Sequence, residues 1–354
     1  MIVKHRYAFL LALIVPALAL GGYLWFRVAM RVPELPGPAP NSGARLRPRP
    51  QGGSSTYGSR CFDPDSRKEV PCASSEMLVD AAEAGDAEGA NRLLARRTDT
   101  KTLNDALFAA ARSAPGCPKD PCPKPDEAHG FHYARIATLL LEKGADIEAR
   151  DRNGDTPLIA AAGHGEDDVV RLLLDRGAHI EATDNPGLTA LIAAACNCAM
   201  VDMPDTYDSV GVLLERGANV EARDKRGRTA LMAAAEWDRP RQVTLLLDRG
   251  AKVDAGDKRG NTALHIAALS ARSTNAVEIL LKRGADIEAR NEGGDTPLIL
   301  AASAGDVKVV QLLLDRRADP QARNKQGNTA LELARKNGRT QTAAILGASV
   351  AKPR

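Results

Sequence analysis

Along most of the chain the apolar and polar positions repeat one phrase. An Ala-rich stretch such as Leu158-Ile159-Ala160-Ala161-Ala162 leads to a Leu-rich run such as Leu172-Leu173-Leu174, then to a Gly-Ala-x-[Ile/Val]-x-Ala turn. Between phrases stands Gly-x-Thr-[Pro/Ala]-Leu, with Thr at 156, 189, 229, 262, 296 and 329, spaced by 33, 40, 33, 34 and 33 residues. A fixed period of this size marks a solenoid, in which each unit buries its apolar face only against its neighbours.

The units resemble the ankyrin repeat, which has a period of about 33 residues and a T-P-L-H-x-A signature. Six copies carry the signature, and Asp155-Thr156-Pro157-Leu158 nearly duplicates Asp295-Thr296-Pro297-Leu298. Two degenerate copies precede them, around Leu78–Ala82 and Leu107–Ala111, so the resemblance covers residues 74–349. It implies an all-α fold: a solenoid of about eight helix-turn-helix repeats with short β-hairpin tips. In the family the signature Thr caps the inner helix and the His ties adjacent turns. Here only His265 keeps that His; Ile159, Ile192, Met232, Ile299 and Glu332 replace it elsewhere.

The residues fit that pattern physically. Ala161-Ala162 and their equivalents let inner helices approach closely. Leu172–Leu174, Leu245–Leu247 and Leu312–Leu314 are expected to fill the core between repeats. Gly177, Gly217, Gly250 and Gly284 end the outer helices, where a left-handed cap needs no Cβ. Arg317 takes that place in the next copy and predicts strain. Asn153-Gly154, Arg226-Gly227 and Arg259-Gly260 read as hairpin tips. The last copy's Glu332, Arg335, Lys336, Asn337 and Arg339 give the polar outer face that a terminal repeat needs.

A different pattern opens the chain. Tyr7 to Phe26 carries no charged side chain, a length that crosses a hydrocarbon core of roughly 30 Å as one helix. Ala17-Leu18-Ala19 offers a signal-peptidase site, but cleavage there leaves Leu24-Trp25-Phe26 at an apolar N-terminus. Residues 1–27 therefore read as an uncleaved signal anchor, a transmembrane helix ahead of the solenoid. Residues 28–73 are rich in Pro, Gly and Arg and read as a linker. Charges flank the apolar run on both sides, so the positive-inside rule decides little. The short basic tail suggests that the rest of the chain faces outward, from a bacterial inner membrane into the periplasm.

Composition narrows the options. The chain has 354 residues, with 44% hydrophobic but only 3% aromatic, which argues against sandwiches and base-stacking platforms. A net charge of +3 is too balanced to imply a polyanionic partner, so no nucleic acid is expected. No phosphate loop, G-x-S-x-G or H-E-x-x-H occurs. The repeated Asp151, Asp184, Asp224 and Asp257 read as turn formers. An enzyme, a cofactor or a small-molecule substrate is not expected.

Two copies are enlarged between their helices, by 18 residues in the second and by 7 within Cys196–Asp208 in the fourth. Cys117, Cys122, Cys196 and Cys198 lie in these insertions, while Cys61 and Cys72 flank a loop before the first copy. An even count at loop positions suggests disulfides and an oxidising compartment. Cys61–Cys72 is a natural local pair, and Cys117 or Cys122 could join Cys196 or Cys198. A rival reading takes Cys117, Cys122, His129 and His132 as a zinc set in the 112–132 insertion.

For partners, a basic stripe runs along the tips: Arg150, Arg152, Arg223, Lys225, Arg226, Lys258, Arg259, Arg290, Arg323 and Lys325. It reads either as a solvated face or as a contact for an acidic protein. Trp237 is either an exposed anchor or packs under the fourth copy's insertion, and His164 lies at the turn after an inner helix. The whole suggests a membrane-anchored protein–protein interaction scaffold. An immunity-type protein that neutralises a toxic effector is the alternative, and a metal protein or enzyme in the insertion is the third.

Overall fold

In a computed structural model of the chain, residues 60–62, 69–71, 74–95, 98–112, 128–196, 208–270 and 273–350 are described. All belong to one unit, Gly58–Arg354. The apolar segment 7–26 lies outside the described residues. Among the described residues no helix is long and apolar enough to cross a membrane.

Each signature threonine starts a helix. The Thr156, Thr189, Thr229, Thr262, Thr296 and Thr329 hydroxyls accept the backbone N–H three residues on, at 3.3–3.4 Å. The cap satisfies one of the N–H groups that a helix start leaves without a partner. All six threonines are buried, so each cap is sealed from water.

Among the described residues, sixteen helices pair into eight repeats. In chain order, inner then outer, they are α1 (Ser74–Glu83) and α2 (Ala87–Leu94), α3 (Thr100–Arg112) and α4 (Ala128–Glu142), α5 (Pro157–His164) and α6 (Asp167–Asp175), α7 (Ala190–Cys196) and α8 (Ser209–Glu215). Then follow α9 (Ala230–Glu236) and α10 (Pro240–Asp248), α11 (Ala263–Leu269) and α12 (Thr274–Lys282), α13 (Pro297–Ala304) and α14 (Val307–Asp315), α15 (Ala330–Lys336) and α16 (Thr340–Val350). The inner helices stack in one unbroken row, and each outer helix packs behind its inner partner.

Two expectations change. The tips are turns rather than β-hairpins: among the described residues, strands occur only at β1 (Arg60–Phe62) and β2 (Glu69–Pro71), an antiparallel pair before α1. Each tip reaches its threonine cap within a few residues, too few for a strand ladder. In the outer helices only the middle leucine is core. Leu173, Leu246 and Leu313 are fully buried, whereas Leu172, Leu174, Leu245, Leu247, Leu312 and Leu314 are half-buried. A helix turns about 100° per residue, so three consecutive leucines cannot share one inward direction.

The small residues behave as expected. Ala161, Ala195, Ala234, Ala235, Ala267, Ala268, Ala301 and Ala302 are 0% exposed in the inner row. After each outer helix, Gly177, Gly217, Gly250 and Gly284 take φ of +86° to +90°. Arg317 occupies the same place at φ +69°, where its Cβ crowds the backbone.

Two outcomes follow. Leu246→Ala should cost about 2–5 kcal/mol by urea unfolding, and Leu245→Ala markedly less. Arg317→Gly should stabilise by about 0.5–1 kcal/mol, because relief of left-handed strain exceeds the added chain entropy; a lowered midpoint would refute the strain.

Candidate partner-binding surface

The tips are built by their first residue. Asp151 Oδ1 accepts the N–H groups of Asn153 and Asp155, at 2.8 and 2.9 Å. Asp224 does the same for Arg226 and Arg228, and Asp257 for Arg259 and Asn261. These acids are turn formers, as their repetition suggested. Tips are then joined to one another through the backbone. The N–H groups of Asn185, Lys225, Lys258, Glu292 and Lys325 donate to the carbonyls of Asn153, Pro186, Arg226, Arg259 and Gly293, at 2.8–3.0 Å.

Side chains lock the same joints. The Arg150 guanidinium donates to Gly154 O in its own tip and to Thr183 O in the next repeat, at 2.9 and 2.6 Å. Arg223 joins Gly227 and Gly256, and Arg290 joins Gly294 and Arg323. Acids work in the opposite sense. Glu148, Glu181, Glu221, Asp254 and Glu288 accept the N–H of His179, Asn219, Lys252, Asp286 and Asp319 one repeat later, at 2.6–3.0 Å. Reading the stripe as a single face overlooked these clamps. Their signal was the recurrent Glu-Ala-Arg at 148–150, 221–223 and 288–290.

The final repeat departs from this scheme. Arg323 donates to its own Gly327 O and turns to Glu332 Oε2 at 3.4 Å. Glu332 also accepts the Thr329 N–H at 2.7 Å, completing a capping box.

Removing the clamping arginines thins the stripe. Arg152, Arg226 and Arg259 are exposed at the tips, as are Lys225, Lys258 and Lys325. Behind the fifth tip, Arg228 pairs with Asp224 at 2.9 Å and with Glu236 at 3.3 Å. Burial holds the Glu236 carboxyl above its usual range, opposed by Arg228 and Arg226. Trp237 caps the end of α9 and is half-buried, between the two expected extremes. The fourth copy's insertion, residues 197–207, lies outside the described residues. The half-buried His164 is the last residue of α5, and its Nδ1 bonds Ala160 O of the same helix at 2.9 Å.

His265 is structural. It is 0% exposed; Nδ1 meets Thr262 Oγ1 at 2.9 Å and Nε2 meets Asp295 O at 3.0 Å in the next repeat.

Most of the cysteine and metal readings fall outside the described residues. Cys72, Cys117, Cys122, Cys198 and the His129 side chain are among them. Cys61 lies in β1, opposite Val70 in the register. Cys196 ends α7, is nearly buried and is disulfide-bonded; its partner's side chain lies outside the described residues. His132 is exposed on α4. Among the described residues no group of three His, Cys, Asp or Glu side chains could hold a metal ion. At the start of α6, Glu166 is 7% exposed and makes no capping hydrogen bond.

Comparison with known proteins places the repeats. A family model described as ankyrin repeats (3 copies) matches residues 128–224 and 198–291, and one described as ankyrin repeats (many copies) matches 290–334. A curated relative, the probable E3 ubiquitin-protein ligase XBOS33 of Oryza sativa subsp. japonica, is 39% identical over 106 residues. That match covers 28% of this chain and only 17% of the relative's length.

Two buried groups should shape the pH dependence of stability. Burial, helped by Asp167 and Asp168, pushes Glu166 up to about 8, and burial pushes His265 below its usual value. Folding thus favours protonated Glu166 and neutral His265. As pH rises from the ordinary Glu range through about 8, the unfolded chain sheds its proton first and stability falls. As pH falls below about 6.5, the unfolded chain takes a proton that folded His265 resists, and stability falls again. Glu166→Gln should raise the unfolding midpoint above pH 8 and flatten only the alkaline limb. His265→Gln should flatten only the acid limb. Unaltered limbs in both variants would refute this assignment.

Proposed function

Because this chain belongs to the ankyrin-repeat family, we propose that it is a protein-binding scaffold held at a membrane through residues 7–26, with its repeat array in the periplasm. The carrying observation is the division of labour at the tips. Glu148, Arg150 and their equivalents fix the backbone of each joint, while Arg152, Arg226 and Arg259 stand exposed on that fixed frame. A rigid frame with projecting side chains suits recognition, because little order must be gained on binding.

The remaining parts fit this reading. The uncharged run at 7–26 has the length of a membrane helix, and the Pro-rich linker up to residue 73 would hold the array off the surface. A disulfide at Cys196 suits an oxidising compartment. The relative's name describes a ligase, but the match covers too little of that protein to carry ligase activity over. We propose no catalytic role.

Two measurements test the reading. Crosslinking in intact cells with the full-length chain should recover a distinct protein partner; recovery of the chain alone would overturn it. A phosphatase reporter fused after Arg354 should be active only outside the cytoplasm, and cytoplasmic activity of a matched reporter would reverse the orientation.

A further inference from the structure

We infer that the tips of the fifth and sixth repeats form a cationic ridge that seats a short acidic segment of a protein partner; this rests on the binding role proposed above. Lys225, Arg226, Lys258 and Arg259 are all exposed. They are neighbours in space as well as in pattern, because the Lys258 N–H donates to Arg226 O at 2.9 Å.

The lysine stems are laid down in place. A Cβ on Gly187 would stand 3.1 Å from Lys225 Cγ, and one on Gly227 would stand 3.2 Å from Lys258 Cγ. The first part of each stem therefore lies against the bare glycine of the preceding tip. A side chain held in this way loses less rotamer freedom on binding.

Most nearby acids are committed elsewhere, and the exposed Glu292, whose N–H donates to Arg259 O at 2.8 Å, marks the far edge of the ridge. Asp224 and Asp257 accept their own tips' N–H groups, and Asp224 also pairs with Arg228. Glu221 and Asp254 clamp the following repeats. Among the described residues no ion pair involves Lys225, Arg226 or Lys258. The ridge is also bounded: Asn185-Pro186 precedes it and Glu292-Gly293 follows. A patch of two tips matches a few carboxylates on a peptide better than a long polyanion, whose many phosphates need a longer track.

The test uses the full-length chain in mild detergent and a fluorescein-labelled alternating Asp/Glu peptide, followed by anisotropy. Saturable, salt-sensitive binding is expected. K225E/R226E/K258E/R259E should lose it by roughly tenfold or more. Arg226→Gln/Arg259→Gln, which leaves both lysine stems in place, should show a smaller loss, and circular dichroism checks that each variant folds. Equal affinity of wild type and the fourfold variant, or tighter binding of an oligo-dT of equal charge, would overturn the proposal. A cellular partner crosslinked equally by both chains would overturn the ridge alone. No partner with either chain would overturn the scaffold reading itself.

Discussion

Everything in this array depends on the joint between one repeat and the next. No single helix pair encloses a core: the fully buried Leu173, Leu246 and Leu313 are covered only when neighbours stack. Stacking brings backbone groups of two tips together, and each must find a partner once water is excluded. Two devices meet that need at each of the five joints between tips, a backbone bond and a carboxylate on the next repeat's N–H, and at alternate joints Arg150, Arg223 and Arg290 add a fork onto two carbonyls. The apolar layer brings the units together, and the polar devices set their register.

The same accounting separates structural charge from available charge. An exposed outer row pairs Arg216 with Asp175 and Arg283 with Asp248, each at 2.7 Å, and such surface pairs contribute little to stability. The inner joints use Glu148, Arg150 and their copies. What remains facing outward at the fifth and sixth tips is short and positive. A protein with nearly balanced charge thus presents a local field that its total conceals.

Much of this architecture was legible in the sequence because each repeat states it again. The threonine caps, alanine contacts, glycine ends and terminal polar face all follow from residue type and period. The clamping role of Glu148 and Arg150 was harder to read, since a charge at a tip looks the same whether it meets a carbonyl or water. The triple leucine misled in another way: adjacent positions share a composition but not a direction on a helix. Trp237 was ambiguous because the period gives it no equivalent tryptophan in another copy to compare with. The candidate surface was therefore visible as a stripe, while the joints decided which of its members point outward.

The Arg323–Glu332 contact sets the last repeat apart. Arg150, Arg223 and Arg290 each reach forward to a carbonyl of the next repeat, a partner that Arg323 does not use. Glu332 supplies an internal substitute from the same repeat. The fork of the last repeat is thereby filled from within that repeat rather than from a neighbour.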